Sequence, residues 1–178
     1  MAINKKHLRQ LQTVILEEPK RIDMNHWVVK FLKTDRKNEF NIKYIPPCKT
    51  VGCIAGWECT LHPKKAKELG WSGLQKYYDR TATATTEYAT TASTVKVATE
   101  LLGLTENQAR ILFYPTAWPH FWYVKLNKTK EQTKAYAKVI ANFIQEVIDT
   151  DGQNLDAEFN NRYGTDDDEN EIEGDYND

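Results

Sequence analysis

Residues 46 to 63 read PPCKTVGCIAGWECTLHP and gather the side chains best suited to chemistry: Cys48, Cys53 and Cys59, the only three cysteines of the chain, and His62. Three chemistries compete for them. A zinc site would use Cys48, Cys53, Cys59 and His62 as soft or borderline ligands. In a helix that starts at Val51, is capped by Thr50 and is bounded by Pro63, Cys59 and His62 share a face. Cys53 and Cys59, however, stand about 240° apart around the axis and about 9 Å along it. One tetrahedral ion does not join them across an intact helix, so the expectation is no metal and no cofactor. A Cys48–Cys53 disulfide is sterically allowed by the short loop. An odd cysteine count and a reducing cytoplasm speak against it.

The third chemistry is nucleophilic. Cys53 falls in the first turn of the expected helix, where unpaired N–H groups and the macrodipole favour a thiolate and could serve as an oxyanion hole. A base must then come from His26, His62 or His120, the last within the aromatic segment AWPHFWYV, a candidate pocket wall. Free cysteine beside Gly and Ala is more often a small packing residue, and the core is the favoured place for Cys53. Gly52 and Gly56, four residues apart, share a face of the same expected helix. Each costs roughly 1 kcal/mol against Ala, so a helix, strand or ligand is expected to approach there closely.

The elements that must hold this segment are mostly helical. Leu8, Leu11 and Ile15 recur at helical spacing with Lys5, Lys6 and Arg9 outside, and Pro19 closes the run. Asp23 caps an expected second helix with the stripe Met24, Trp27, Val28, Phe31 and Leu32. Phe40, Ile42 and Tyr44 alternate as in a strand that ends at Pro46 and Pro47, and its best partner is the run Thr81 to Thr94, with seven Thr in fourteen residues. Val95, Ala98, Leu101 and Leu102 then form a helix that Gly103 stops, and Thr105 with Gln108 makes a capping box for the next, which ends at Pro115. A DNA-reading helix-turn-helix is set aside because its turn is one residue too long and its reading helix offers only Arg110. A last helix runs from about Thr129 to Ile148, with Tyr136, Val139, Ile140, Phe143, Ile144 and Val147 on its apolar face and Lys130, Lys134 and Lys138 opposite. The expected fold class is mainly α, within α+β: a helical domain with a small β-hairpin or short sheet.

Charge divides the 178 residues unevenly. Residues 1 to 148 hold 23 Lys plus Arg against 13 Asp plus Glu, while residues 149 to 178 hold Arg162 against 12 acids. The expected layout is therefore a basic globular domain over 1–148, net +10, and an acidic flexible tail over 149–178, net −11. No apolar run reaches the roughly 20 residues of a membrane span, and the first residues lack the apolar core of a secretory signal, so a cytoplasmic protein is expected.

The string Cys48, Thr50, Cys53, Ile54, Ala55, Gly56, Trp57, with Met24 and Trp27 before it and LLGLTENQARILF and a Trp-Pro after it, resembles a family of small uncharacterised bacteriophage and bacterial proteins with a C-x-T-x-x-C-I-A-G-W core. The match covers landmarks over residues 22 to 148. Lys49 stands where that pattern has Gly, and Glu58 where it has a small residue. The resemblance implies a phage accessory protein acting in the host cytoplasm, with no catalytic residue to carry over. The leading expectation is binding without turnover of an anionic partner: a signalling nucleotide, a nucleic acid or an acidic host protein. Thr50, Gly52, Cys53, Trp118, His120 and Trp122 are the expected ligand-binding residues, from a helix start that suits anions and an aromatic stretch. The alternative is a cysteine-dependent hydrolase or transferase with Cys53 as nucleophile and His120 as base.

Overall fold

The structure, a computed structural model, describes residues 2–22, 24, 28–31, 50–78, 84–89, 91–114 and 129–164. It is mainly helical. Helix α1 (Lys5–Glu17) buries Leu8, Leu11 and Ile15, the face its spacing predicts, and Pro19 opens a short 3-10 turn over Pro19–Arg21. Strands β1 (Val28–Phe31) and β2 (Thr50–Gly52) precede α2 (Ile54–Leu61) and α3 (Pro63–Glu68). Strands β3 (Leu74–Tyr78) and β4 (Ala84–Ala89) lead into α4 (Thr91–Leu102), α5 (Glu106–Phe113), α6 (Lys130–Asp149) and α7 (Gln153–Tyr163). The four strands form one sheet in the order β2-β1-β4-β3, antiparallel throughout.

The helices pack into one core. Helix α1 lies on α6, α2 on α4, and α5 on α7, while α1 also touches α2 and α4. Leu8, Leu11, Ile54, Leu101, Leu102, Ile111, Ile140, Ile144 and Leu155 are among its fully enclosed side chains. Polar pins fix these contacts. Gln12 Nε2 donates to the Ala141 carbonyl at 2.9 Å, and the Asn4 backbone N–H donates to the Leu102 carbonyl at 2.7 Å. Gly103, at φ +66°, ends α4, and a Cβ there would stand 2.6 Å from the Ala2 carbonyl oxygen, so only glycine fits both the turn and the approach. Capping boxes open α5 at Thr105 and Gln108 and α6 at Thr129 and Gln132.

Several expectations differ from what is observed. Val28 to Phe31, expected in a helix from Asp23 to Leu32, are a strand. The β-branched pair Val28 and Val29 suits extended backbone, and β1 finds ladder partners in both β2 and β4, which outweighs the helical spacing of the stripe. The helix expected from Val51 begins at Ile54. Gly52 belongs to β2, opposite Val28, so Gly52 and Gly56 share no helix face. Thr91 and Thr94 are the first turn of α4 and not extended chain, and Val139 is 41% exposed instead of part of the apolar face of α6. The expected strand from Phe40 to Tyr44 lies outside the described residues, and β4 pairs with β1 and β3.

The largest difference is at the C-terminal side. The boundary expected at residue 148 falls inside α6, and the fold continues through α7. Leu155 is fully buried, Gln108 Nε2 donates to Asp156 at 2.9 Å, and Arg110 stacks over Tyr163 at 4.3 Å. Composition averaged over the whole acidic segment hides Leu155 and Phe159, which pack on the core. Counted to Gly164, the chain holds 24 Lys plus Arg against 17 Asp plus Glu, net +7. The remaining eight acids fall in 165–178, outside the described residues. No helix among the described residues is long and apolar enough to cross a membrane.

Candidate functional site

Helix α2 carries the chain's least expected side chain. Its sequence, IAGWECTL, is apolar on nearly every side, and residues Ile54 to Cys59 are all buried. A helix apolar all round must sit inside the fold. Glu58, its one ionisable carboxylate, is therefore carried into the core and is fully enclosed. His62, four residues on, lies on the same face at the corner where α2 ends and Pro63 opens α3.

The third member comes from the other end of the sequence. Asn4 caps α1 by accepting the His7 backbone N–H, and its own side-chain amide donates to the Leu101 carbonyl at 3.1 Å. That tie fixes the first turn of α1 against the end of α4, which packs on α2, and so delivers His7 to Glu58. His7 Nδ1 and Glu58 Oε1 are 2.6 Å apart, and His62 Nε2 is 3.7 Å from the same oxygen. The two imidazoles stack in parallel, with centroids 3.6 Å apart and planes 7° apart. Their edges reach solvent, the side chains being 13% and 19% exposed.

The electrostatics follow from this enclosure. Burial pushes the Glu58 carboxyl up to about 8, against a smaller opposing pull from Lys65. His7 is pushed down to about 4, chiefly by burial, then by His62, Lys65 and Lys6. His62 is lowered by burial and by the same two lysines. Both shifts favour the uncharged arrangement of the Glu58–His7 pair, carboxyl O–H toward imidazole Nδ1, over the ion pair. Among the described residues, two enclosed atoms of this cluster, Glu58 Oε2 and His62 Nε2, have no hydrogen-bond partner. Two imidazoles and a carboxylate form a donor set that could hold a metal ion, and the three ligand atoms lie within 4.8 Å of one another.

The residues predicted to bind a ligand lie elsewhere. Thr50 and Gly52 are in β2, with backbones opposite Lys30 and Val28. Cys53 is the N-cap of α2 and only 1% exposed, so it sits in the core as the packing reading expects, without the access a nucleophile requires. Cys59 is wholly buried, its S–H directed at the Thr94 carbonyl at 3.7 Å, and burial pushes its thiol up to about 12. Trp118, His120, Trp122, Cys48 and His26 lie outside the described residues. Among the described residues that the sequence singled out as candidate ligands or catalytic groups, His62 alone joins the cluster. His7 and Glu58 were missed, although an acid alone in an apolar helix with His at the fourth position is a readable signal. Compared with protein families, with characterised proteins and with solved structures, the chain matches none.

Proposed function

We propose that the protein is an accessory binding protein of the phage type that captures an anionic partner in the host cytoplasm without turning it over. Its ligand class is a phosphate-bearing small molecule such as a signalling nucleotide. One observation carries this reading: exposed Lys6 on α1 and exposed Lys65 on α3 both stand near enough to His7 and His62 to disfavour their protonation, so two separate elements bring positive charge beside the part-exposed imidazoles. The carboxyl beneath those edges is held uncharged by burial and does not cancel the lysines. Arg9, Lys64 and Lys67 are exposed on the same two helices, with Glu68 as the one acid among them on α3. Neutral imidazole N–H groups and ammonium groups together recognise phosphate oxygens. The helix start at Thr50 and Gly52 no longer supports the reading, because Gly52 is strand and Cys53 is covered.

The test is a thermal-shift screen of the full chain against mono-, di- and cyclic nucleotides at low salt, with pyrophosphate as the non-nucleotide anion and single-stranded DNA and an acidic peptide as the competing classes. A nucleotide should raise Tm, by an amount that shrinks as salt rises. The Lys6→Glu, Lys65→Glu double variant should lose the shift. The reading fails if no nucleotide moves Tm at low salt, if the shift survives the double charge reversal, or if only the DNA or the peptide binds.

A further inference from the structure

We propose that His7, Glu58 and His62 form a binding site for one divalent transition-metal ion of the zinc class. This goes beyond the anion-binding reading and stands independently of it. Three features argue for it. First, the donors converge from distant parts of the chain, His7 on α1 and Glu58 and His62 at the end of α2, with α1 tied down through Asn4 so that the approach is fixed by the fold. Second, Glu58 is completely enclosed, and its Oε2 has no partner, nor does the buried Nε2 of His62. A structural hydrogen bond between Glu58 and His7 accounts for one carboxylate oxygen and one imidazole nitrogen. It leaves two buried polar atoms without a partner, each of which ordinarily costs free energy in an apolar interior. A cation uses both. Third, two imidazole nitrogens and a carboxylate oxygen match the ligand preference of zinc and its neighbours and not that of magnesium or calcium, which favour all-oxygen shells.

The geometry states what binding must do. Ligand atoms on a tetrahedral ion stand about 3.3 Å apart, given bonds of about 2.0 Å. The 2.6 Å contact of His7 with Glu58 must therefore lengthen and the 3.7 Å contact of His62 must shorten. The parallel rings must also splay so that both nitrogen lone pairs aim at one point. Both rings sit at the rim, where rotation meets solvent, while Glu58 stays fixed in the core. Three protein ligands leave a position open toward that rim. This donor set differs from the Cys48, Cys53, Cys59 and His62 set weighed from the sequence and shares only His62 with it.

The full chain, stripped with a chelator, is titrated with Zn²⁺ against a chromophoric chelator and with Co²⁺ followed by visible absorption. The expected result is one ion per chain, cobalt bands of nitrogen and oxygen ligation, and a rise in Tm with zinc. His7→Ala, His62→Ala and Glu58→Gln should each weaken binding at least about tenfold, the loss that removing even an outer supporting group brings. Their metal-free Tm is recorded alongside, and His7→Gln replaces His7→Ala if the latter fails to fold. His26→Ala and His120→Ala should bind as the wild type does. No zinc bound at excess metal, retention of the ion by the His7→Ala, His62→Ala double variant, loss in the His26 or His120 variant, or a thiolate-to-cobalt charge-transfer band would each overturn the assignment. Nucleotide titrations in the presence of chelator keep this outcome separate from that of the anion reading.

Discussion

Replacing Glu58 by Gln separates the charge of this buried side chain from its shape. The amide has nearly the volume of a protonated carboxyl and can donate to His7 Nδ1 as the acid does, so Glu58→Gln keeps the packing and the hydrogen bond and removes only the titration. A carboxyl whose folded pKa is raised, here from 4.5 to about 8, stabilises the protein fully below 4.5 and loses that contribution as pH rises through 8. A histidine whose folded pKa is lowered has the opposite sign: His7, moved from 6.5 to about 4, loses its contribution as pH falls. Between 4.5 and 6.5 these two slopes cancel, leaving the downward pull of His62 on the acid side. From 6.5 to 8 Glu58 acts alone. One proton difference changes stability by about 1.4 kcal/mol per pH unit, so the wild type should lose about 1 to 2 kcal/mol over that window, or roughly 3 to 6 °C in Tm for a body of this size. Urea denaturation of metal-free protein at a series of pH values from about 5 to about 9 measures it. The wild type should be most stable near pH 6.5, and Glu58→Gln should lack the decline above it while keeping the acid limb. A wild-type curve that is level or rising between 6.5 and 8, or a variant curve that declines in parallel, would refute the claim that Glu58 is buried uncharged.

Leu155→Ala tests whether α7 belongs to the folded body: a fully buried leucine truncated to alanine costs about 2 to 5 kcal/mol, and a change under about 0.5 kcal/mol in urea denaturation would return residues 149–164 to the status of a tail. Gly103→Ala should cost about 2 kcal/mol or more by the same assay, because the new Cβ meets the Ala2 carbonyl at a positive φ; an unchanged midpoint would mean that the chain start does not pack there. In a Cys48→Ser background, iodoacetamide should label Cys53 and Cys59 only on unfolding, given their burial and the high pKa of Cys59. Labelling of native Cys53 at the rate of a free thiol or faster would revive the nucleophile.

The helical part of the fold was legible because its signals are local. Leu8, Leu11 and Ile15 recur at the helical period, Thr105 and Gln108 announce a capping box, and Gly103 supplies the only backbone that can turn under Ala2. The errors fall where distant partners decide. Val28 to Phe31 carry a helical spacing, yet two neighbouring strands offer them ladder bonds, and nothing within that segment records their presence. Likewise Thr50 to Gly52 follow β1 and so push the helix start to Ile54. In α7, Leu155 is the fully buried anchor of an acidic segment, joined by Asp156 and Tyr163, which meet Gln108 and Arg110 of α5 more than forty residues away.

The site was half legible, and the reason lies in how a buried acid arises. IAGWECTL is too apolar to face water, so burying the helix obliges Glu58 to enter the core. A buried carboxyl must then find protons or donors, and His62 at the next turn is the first place to look. That inference needs only the sequence. Cys53 and Cys59, the more conspicuous side chains of this segment, are ones that the fold uses as packing. His7 could not be found this way: it sits 51 residues from Glu58, and what brings it there is the cap at Asn4 bonded to the last carbonyls of α4. The proximity of the two imidazoles is thus a property of the assembled helices, and any change that loosens Asn4 from Leu101 and Leu102 should open the stack without touching either ring.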